Sequence, residues 1–268
     1  MTLPPDLRLG AVHLIVSDLE RSVAFYEDPI GLLPGRRDLD AGIVALGAGG
    51  EDLLVLHEDR GARPAGRHAG LYHFALLFPD RAALARALAR LAATRTPISG
   101  ASDHGVSEAI YLNDPDGNGI ELYADRPRSA WPAPERPGER VGMYTIALDL
   151  PGLLATVEGA PVDARADPGL VVGHLHLHVS DLAAATAFYR DEVGFEVMTE
   201  YPGAVFVSAG GYHHHLGFNV WRGEGVPPVP PHAVGLREWT IRLPDGTAEE
   251  RELTDPSGNV VRIVAGSR

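Results

Sequence analysis

The sequence predicts an α+β protein of four βαβββ modules, the fourth one reduced, forming two curved, half-barrel mixed sheets with helices on the outside. Three observations lead there. The segment HLIVSDLERSVAFYEDPIG (13–31) recurs 163 residues later as HLHVSDLAAATAFYRDEVG (176–194), with 11 identities in 19 positions. GLYHFALLFPD (70–80) has a weaker copy in GLREWTIRLPD (235–245). Each half then ends on a matching turn, DPDGN (114–118) or DPSGN (255–259), and a Gly-Asn turn leading into the apolar runs GIELYA and VVRIVA is the chemistry of a hairpin.

Taken in order, each module opens on an alternating apolar strand. In modules one and three an Asp-Leu pair then starts a helix, with Phe-Tyr seven residues after the Asp on its inner face, and a Gly ends it. The modules run about 8–60, 69–126, 171–222 and 235–266. In the second, RAALARALARLAA carries apolar residues at helical spacing; the fourth is 24 residues shorter between the corresponding points, so Asp245-Gly246 turns almost directly into the last strands. Residues 126–140, rich in Pro and Arg, read as a linker, MYTIALDL as a short strand after it, and VPPVPPH as the joint between modules three and four. The chain thus divides into an N-terminal pair (1–126), a linker with a bridging strand (127–170) and a C-terminal pair (171–268).

Composition narrows the chemistry. With 268 residues the chain is long enough for two cores of ordinary size. It has no cysteine, which excludes disulfides, thiolate ligands, iron–sulfur clusters and cysteine nucleophiles, so any metal must be held by nitrogen and oxygen. The 12 histidines suit iron, manganese, zinc or nickel. A net charge of −13 without a basic block argues against nucleic acid. No apolar run reaches the roughly 20 residues of a membrane span and no signal peptide opens the chain, so a cytoplasmic enzyme or binding protein is expected.

Alternate side chains of a strand share a face. In the first strand of each module one face is apolar: Val12, Leu14 and Val16 in module one, Leu175, Leu177 and Val179 in module three. The other carries Ala11, His13 and Ile15; His73, Ala75 and Leu77; His174, His176 and His178; and Glu238, Thr240 and Arg242. Position seven before the Asp is therefore His73, His174 or Glu238 in three modules of four. Polar groups held on rigid strands and aimed into a cup are what a metal site needs, although a single strand histidine is more often structural. Glu121 lies between Ile120 and Leu122 and so faces away from the core, where a buried carboxylate needs a partner or a cation; its counterpart in module four is Arg262. Tyr111, ten residues earlier on the hairpin, brings a hydroxyl toward Glu121, and His104 lies on the approach to that strand. In GYHHHL (211–216), strand alternation sends His213 and His215 to one face and His214 to the other.

With these motifs in hand, the chain resembles the vicinal oxygen chelate superfamily. GLYHFALLFPD, SDHGVSEAIYLNDPDGNGIELYADRPR and SAGGYHHHLGFNVW together resemble its bacterial catechol 2,3-dioxygenase branch. The resemblance covers essentially the whole chain. It implies a non-haem Fe(II) extradiol dioxygenase, with Mn, Zn or Ni as other occupants, that takes a small aromatic diol and dioxygen; it also admits a homodimer. It implies metal ligands His73, Glu121 and His174 and catalytic residues His214, Tyr111 and His104. Here the sequence departs from the family, because the matching modules are two and three, in different halves of the chain. Either those two meet and complete the site from His73, Glu121 and His174, which is preferred, or each half folds on itself and His13 completes the N-terminal set. The superfamily also holds metal-dependent lyases and isomerases, and non-enzymatic binders of aromatic compounds or drugs, so fold does not select the reaction.

Overall fold

The computed structural model describes residues 2–244 and 250–266. Module one is β1 (Arg8–Val16), α1 (Leu19–Glu27), β2 (Leu33–Asp38), β3 (Ile43–Gly47) and β4 (Asp52–Glu58), followed by a two-residue β5 (Arg63–Pro64). Module two is β6 (Gly70–Phe78), α2 (Arg81–Ala93), β7 (Gly100–Asp103), β8 (Ser107–Asn113) and β9 (Gly119–Asp125). After the linker come β10 (Ile146–Ala147) and α3 (Leu150–Leu154). Module three is β11 (Val171–His178), α4 (Leu182–Ala187), β12 (Glu196–Tyr201), β13 (Ala204–Ser208) and β14 (Leu216–Asn219), and module four is β15 (Ala233–Leu243), β16 (Arg251–Thr254) and β17 (Val260–Ala265). Among the described residues module four has no helix. The turn expected at Asp245-Gly246 lies outside them. The linker piece MYTIALDL is strand only over Ile146–Ala147, at a sheet edge beside β7.

Helix starts follow the capping Asp, which precedes Leu in modules one and three and Arg81 in module two. Asp18, Asp80 and Asp181 each accept a hydrogen bond from the backbone N–H three residues on, satisfying donors that an uncapped first turn leaves open. Gly194 ends the helix of module three, α4, after a π-helical stretch, in a left-handed conformation that a side chain would disfavour. Gly31 adopts a similar φ, but three residues beyond the cap Asp28, so it shapes the exit rather than the cap itself.

The modules combine across the halves of the chain. One open mixed sheet has the order β16-β17-β15-β1-β4-β3-β2, and the other β10-β7-β8-β9-β6-β11-β14-β13-β12. Module one therefore shares a sheet with module four, and module two with module three. The N-terminal pair 1–126 and the C-terminal pair 171–268 are divisions of the sequence and not of the sheets. The physical reason is strand pairing: β1 runs antiparallel to β15, and β6 to β11, so each first strand satisfies its free backbone edge with the first strand of a module from the other half. The apolar faces predicted from alternation, with Val12 and Leu14 of one sheet and Leu175 and Leu177 of the other, join one continuous core. The opposite faces carry small separate clusters, Ala11–Ala45–Val55 and Ala75–Ala109–Tyr123.

Within each half the modules meet through the Phe-Tyr and Asp-Pro motifs. Tyr26 Oη donates to Asp114 Oδ2 at 2.9 Å, and Tyr189 Oη donates to Asp255 Oδ2 at 2.9 Å. Each aspartate also accepts from two backbone N–H groups of its own turn and from the Asn118 or Asn259 amide. The repeated motif is thus one repeated contact, a buried tyrosine holding the turn of the next module. Tyr26→Phe leaves the turn intact and removes one buried hydrogen bond; urea denaturation is expected to show a loss of about 1–2 kcal/mol.

Two irregularities in the β6–β11 pairing shape the site face. His174 pairs with Ala75 and Val172 with Leu76, leaving Gly173 extra, while His176 pairs with His73 and Leu177 with Leu71, leaving Tyr72 extra. Such bulges re-aim side chains. A Cβ at Gly173 would collide with the Tyr123 hydroxyl, which explains the glycine.

Candidate metal centre

Strand register builds the site row by row. Tyr111 on β8 pairs with Glu121 on β9, Glu121 with Ala75 on β6, and Ala75 with His174 on β11. Ala75 is fully buried and ends at its Cβ, so Glu121 and His174 meet over it. His73, two residues along β6 on the same face, completes the group: Glu121 Oε2 lies 3.1 Å from His174 Nε2 and 3.0 Å from His73 Nε2. One donor atom from each of these three buried residues lies within 4.8 Å of the others.

The electrostatics fit a cation. Burial pushes the Glu121 carboxyl up, but His174 and His73 outweigh it and hold the group well below the usual carboxylate range. Burial pushes His174 down, against the pull of Glu121, toward the neutral form that ligates. The His73 Nε2 is sealed from solvent and makes no well-aligned hydrogen bond, although it sits beside the carboxylate. Two imidazole nitrogens and a carboxylate oxygen this close together, one nitrogen without a hydrogen bond, could hold a metal ion. Two nitrogens and one oxygen suit iron, manganese, zinc or nickel.

The histidine run departs from strand alternation. Residues 209–215 form an irregular segment before β14, so period two does not apply. None of the three is a solvent-facing turn residue: His213 and His214 are buried and His215 is half-buried. The His214 ring lies 4.2 Å from the His174 ring, tilted 52° to it, and His214 is the member nearest the group. His213 packs behind it, and His215 bonds Ser208 Oγ through Nδ1 at 2.8 Å and stacks on Phe195. A chain of contacts sets the His214 tautomer. Asp125 Oδ1 lies 2.8 Å from His213 Nε2 and can only accept, so that nitrogen carries hydrogen. In neutral His213 the Nδ1 then accepts from His214 Nδ1–H at 2.8 Å, leaving the His214 Nε2 with a free lone pair. Burial first, and then the neighbouring His174, keep His214 well below its ordinary pKa.

Tyr111 borders Glu121, and burial together with that carboxylate pushes its phenol upward, so the hydroxyl keeps its proton. His104 touches the Tyr111 hydroxyl through Nε2 at 2.8 Å and binds the Tyr144 carbonyl and Thr145 hydroxyl through Nδ1. It therefore reaches the site only through Tyr111. His13 is in the other sheet, 3.0 Å from His57 Nε2 and 3.9 Å from Glu238, which in turn pairs with Arg262. The arrangement in which His13 completes the set with His73 and Glu121 does not occur, because β1 pairs with β15 and not with β6.

Three participants escaped the sequence. Asp125 is an ordinary strand-end aspartate until His213 folds over it. Asn219 holds His176 and His178 across two strands. Tyr72 should alternate away from His73, but its bulge puts its ring 4.9 Å from the His73 ring; only an observed register reveals this.

Away from the metal centre, burial holds His215 at about 3 and, with help from Arg237, His57 at about 4. An unfolded histidine titrates near 6.5, so below that pH the unfolded chain binds protons that the folded chain refuses. Stability is thus expected to fall as pH drops from about 6.5 toward 4. Urea midpoints between pH 7.5 and 5 check this, and His215→Gln should lessen the slope.

The comparisons agree with this architecture. Residues 8–122 match the model of the glyoxalase/bleomycin resistance protein/dioxygenase superfamily, and 172–210 match that of the bleomycin resistance protein-like N-terminal family. Catechol-2,3-dioxygenase of Bacillus subtilis (strain 168) is 48% identical over 244 residues, covering 89% of this chain and 84% of that protein. Among solved structures, a putative dioxygenase from Bacillus subtilis aligns with a TM-score of 0.62 at 13% identity, over 99% of this chain and 86% of the other. Glyoxalase I from Zea mays aligns with a TM-score of 0.57 at 16% identity, over 97% and 92%. At those identities the structural matches show the fold alone. Among the described residues no helix is long and apolar enough to cross a membrane. The repeated modules, the open mixed sheets and the 48% identical relative place one conclusion beyond the fold: the chain belongs to the glyoxalase/bleomycin resistance protein/dioxygenase superfamily.

Proposed function

We propose that this protein is a non-haem Fe(II) extradiol dioxygenase that opens the ring of a catechol-type diol with dioxygen. The observation that carries this reading is the buried convergence of His73, Glu121 and His174 on one point, in a chain 48% identical to a catechol-2,3-dioxygenase. His73, Glu121 and His174 would hold ferrous iron, which would supply Lewis-acid and redox chemistry to the diol and dioxygen. A diol held in one place beside His214 and Tyr111 reacts with a smaller entropic part of the barrier. The free lone pair of His214 Nε2 takes a catechol hydroxyl proton, and Asp125 and His213 hold that tautomer in place. His104 donates from Nδ1 to the Tyr144 carbonyl and, when neutral, accepts the Tyr111 hydroxyl proton at Nε2, so Tyr111 Oη is turned to accept from a hydroxyl oxygen of the bound diol.

Anaerobic metal analysis paired with oxygen uptake on a catechol panel tests the reading. One iron per chain and stoichiometric oxygen consumption with loss of catechol absorbance are expected. Iron-loaded protein that consumes no oxygen with any catechol would sink it.

A further inference from the structure

Beside the metal centre lies a polar device that the reaction above does not use. His176 is buried, with its ring 5.2 Å from the His73 ring and flanked by Tyr72, Phe206 and Trp221 at 5.1, 5.5 and 5.2 Å. Two of these rings are perpendicular or nearly so to it, which makes an aromatic wall next to the metal ligands.

The hydrogen bonds around Asn219 decide which atoms this wall presents. The Trp221 backbone N–H donates to Asn219 Oδ1 at 3.0 Å, so that atom is the amide oxygen and the other is the nitrogen. Asn219 Oδ1 lies 2.8 Å from His178 Nδ1, which must therefore carry hydrogen. Asn219 Nδ2 lies 2.9 Å from His176 Nε2, which must accept. Neutral His176 consequently bears its hydrogen on Nδ1. That N–H has no hydrogen-bond partner among the described residues, and unlike His73 Nε2 it is not fully sealed from solvent.

The fold does not demand this arrangement. In the other sheet the positions related by the 163-residue repeat are His13 and Ile15, and His57 stands beside Ile15 where Asn219 stands beside His178. That sheet forms without the amide.

We propose that His176, locked by Asn219, is a specificity-determining donor for a ring substituent, so that this site selects a catechol bearing an oxygen substituent over one bearing an alkyl group. The proposal rests on the dioxygenase reading for the catechol core. A methyl group against this N–H would leave a buried donor unpaired, whereas a hydroxyl or carboxylate accepts from it; a site built around a polar contact rejects analogues that lack it. Arg222, half-buried and close enough to depress His178, adds positive potential on the same side.

The test is anaerobic calorimetric titration of the iron-loaded protein with catechol, 3- and 4-methylcatechol, the corresponding trihydroxybenzenes and the corresponding dihydroxybenzoates. Oxygen-substituted rings are expected to bind about tenfold tighter than their methyl counterparts. His176→Phe should abolish the difference with iron content unchanged, and His176→Gln, which restores an N–H, should recover part of it. Preference for the benzoates assigns an anionic substituent and preference for the trihydroxybenzenes a hydroxyl; either supports the inference. Equal affinities in the unmodified protein, no binding of any oxygen-substituted ring, or a preference that survives in His176→Phe overturns it. Oxygen uptake on the same panel separates the two readings. Uptake without preference removes only the subsite, and preference without uptake removes only the dioxygenase.

Discussion

Glu121→Gln is expected to lose the bound metal and to lower ring-cleavage activity by about a thousandfold, roughly 4 kcal/mol of barrier. In the proposed centre the carboxylate is the one anionic group, and it faces both imidazoles, at 3.1 and 3.0 Å. An amide of the same shape keeps the packing and removes the charge that compensates a divalent cation. The substitution also removes a buried anion, so the metal-free protein should remain folded. Metal content after dialysis, the circular dichroism melt and oxygen uptake separate the effects. Full metal occupancy with full activity in this variant would refute the assignment of Glu121. His174→Ala should behave likewise for metal but leave Glu121 with one imidazole partner fewer, and is therefore expected to cost some stability as well.

Asp114→Ala is expected to give the largest loss of stability, about 3–5 kcal/mol, or about 10 °C in melting temperature. This buried carboxylate accepts from Tyr26 Oη, the Asn118 amide and the Asp116 and Asn118 N–H groups. Removing it strands four donors at once in a place water reaches poorly. The turn that it organises joins β8 to β9, which carry Tyr111 and Glu121, so metal affinity should fall together with stability. The equivalent Asp255→Ala, in the turn of module four, should cost similar stability through Tyr189 and Asn259 but leave the metal-loaded site unaltered. Urea denaturation and metal titration on the two variants distinguish a general loss of stability from a loss directed at the site. Equal metal affinity in Asp114→Ala would show that the turn does not position Glu121.

Much of the molecule was legible in the chain. The repeat at 163 residues and the Asp-Leu and Phe-Tyr motifs set the modules, because capping, helical spacing and strand alternation are local properties. That His73, Glu121 and His174 lie on faces opposite an apolar set was legible for the same reason, strand alternation. The histidine run lies outside that rule. Its backbone leaves the strand at residue 209, and alternation holds only where backbone pairing enforces it.

Which modules meet is a different kind of fact. The sequence allowed modules two and three to meet or each half to close on itself, and local patterns are the same in both. The pairing of β6 with β11 decides it, by uniting His73 and Glu121 with His174 and sending His13 to the other sheet. Tyr72 and Gly173 sit at bulges in that same pairing, and Asp125 and Asn219 acquire their roles from residues 88 and 43 positions away. The sequence by itself determined the modules, the apolar faces and the polar faces opposite them, which depend on neighbours in the chain. The tertiary structure alone decided the strand partners, the tautomers of His176 and His214 and the side on which each histidine faces, because those depend on hydrogen bonds between segments far apart in sequence.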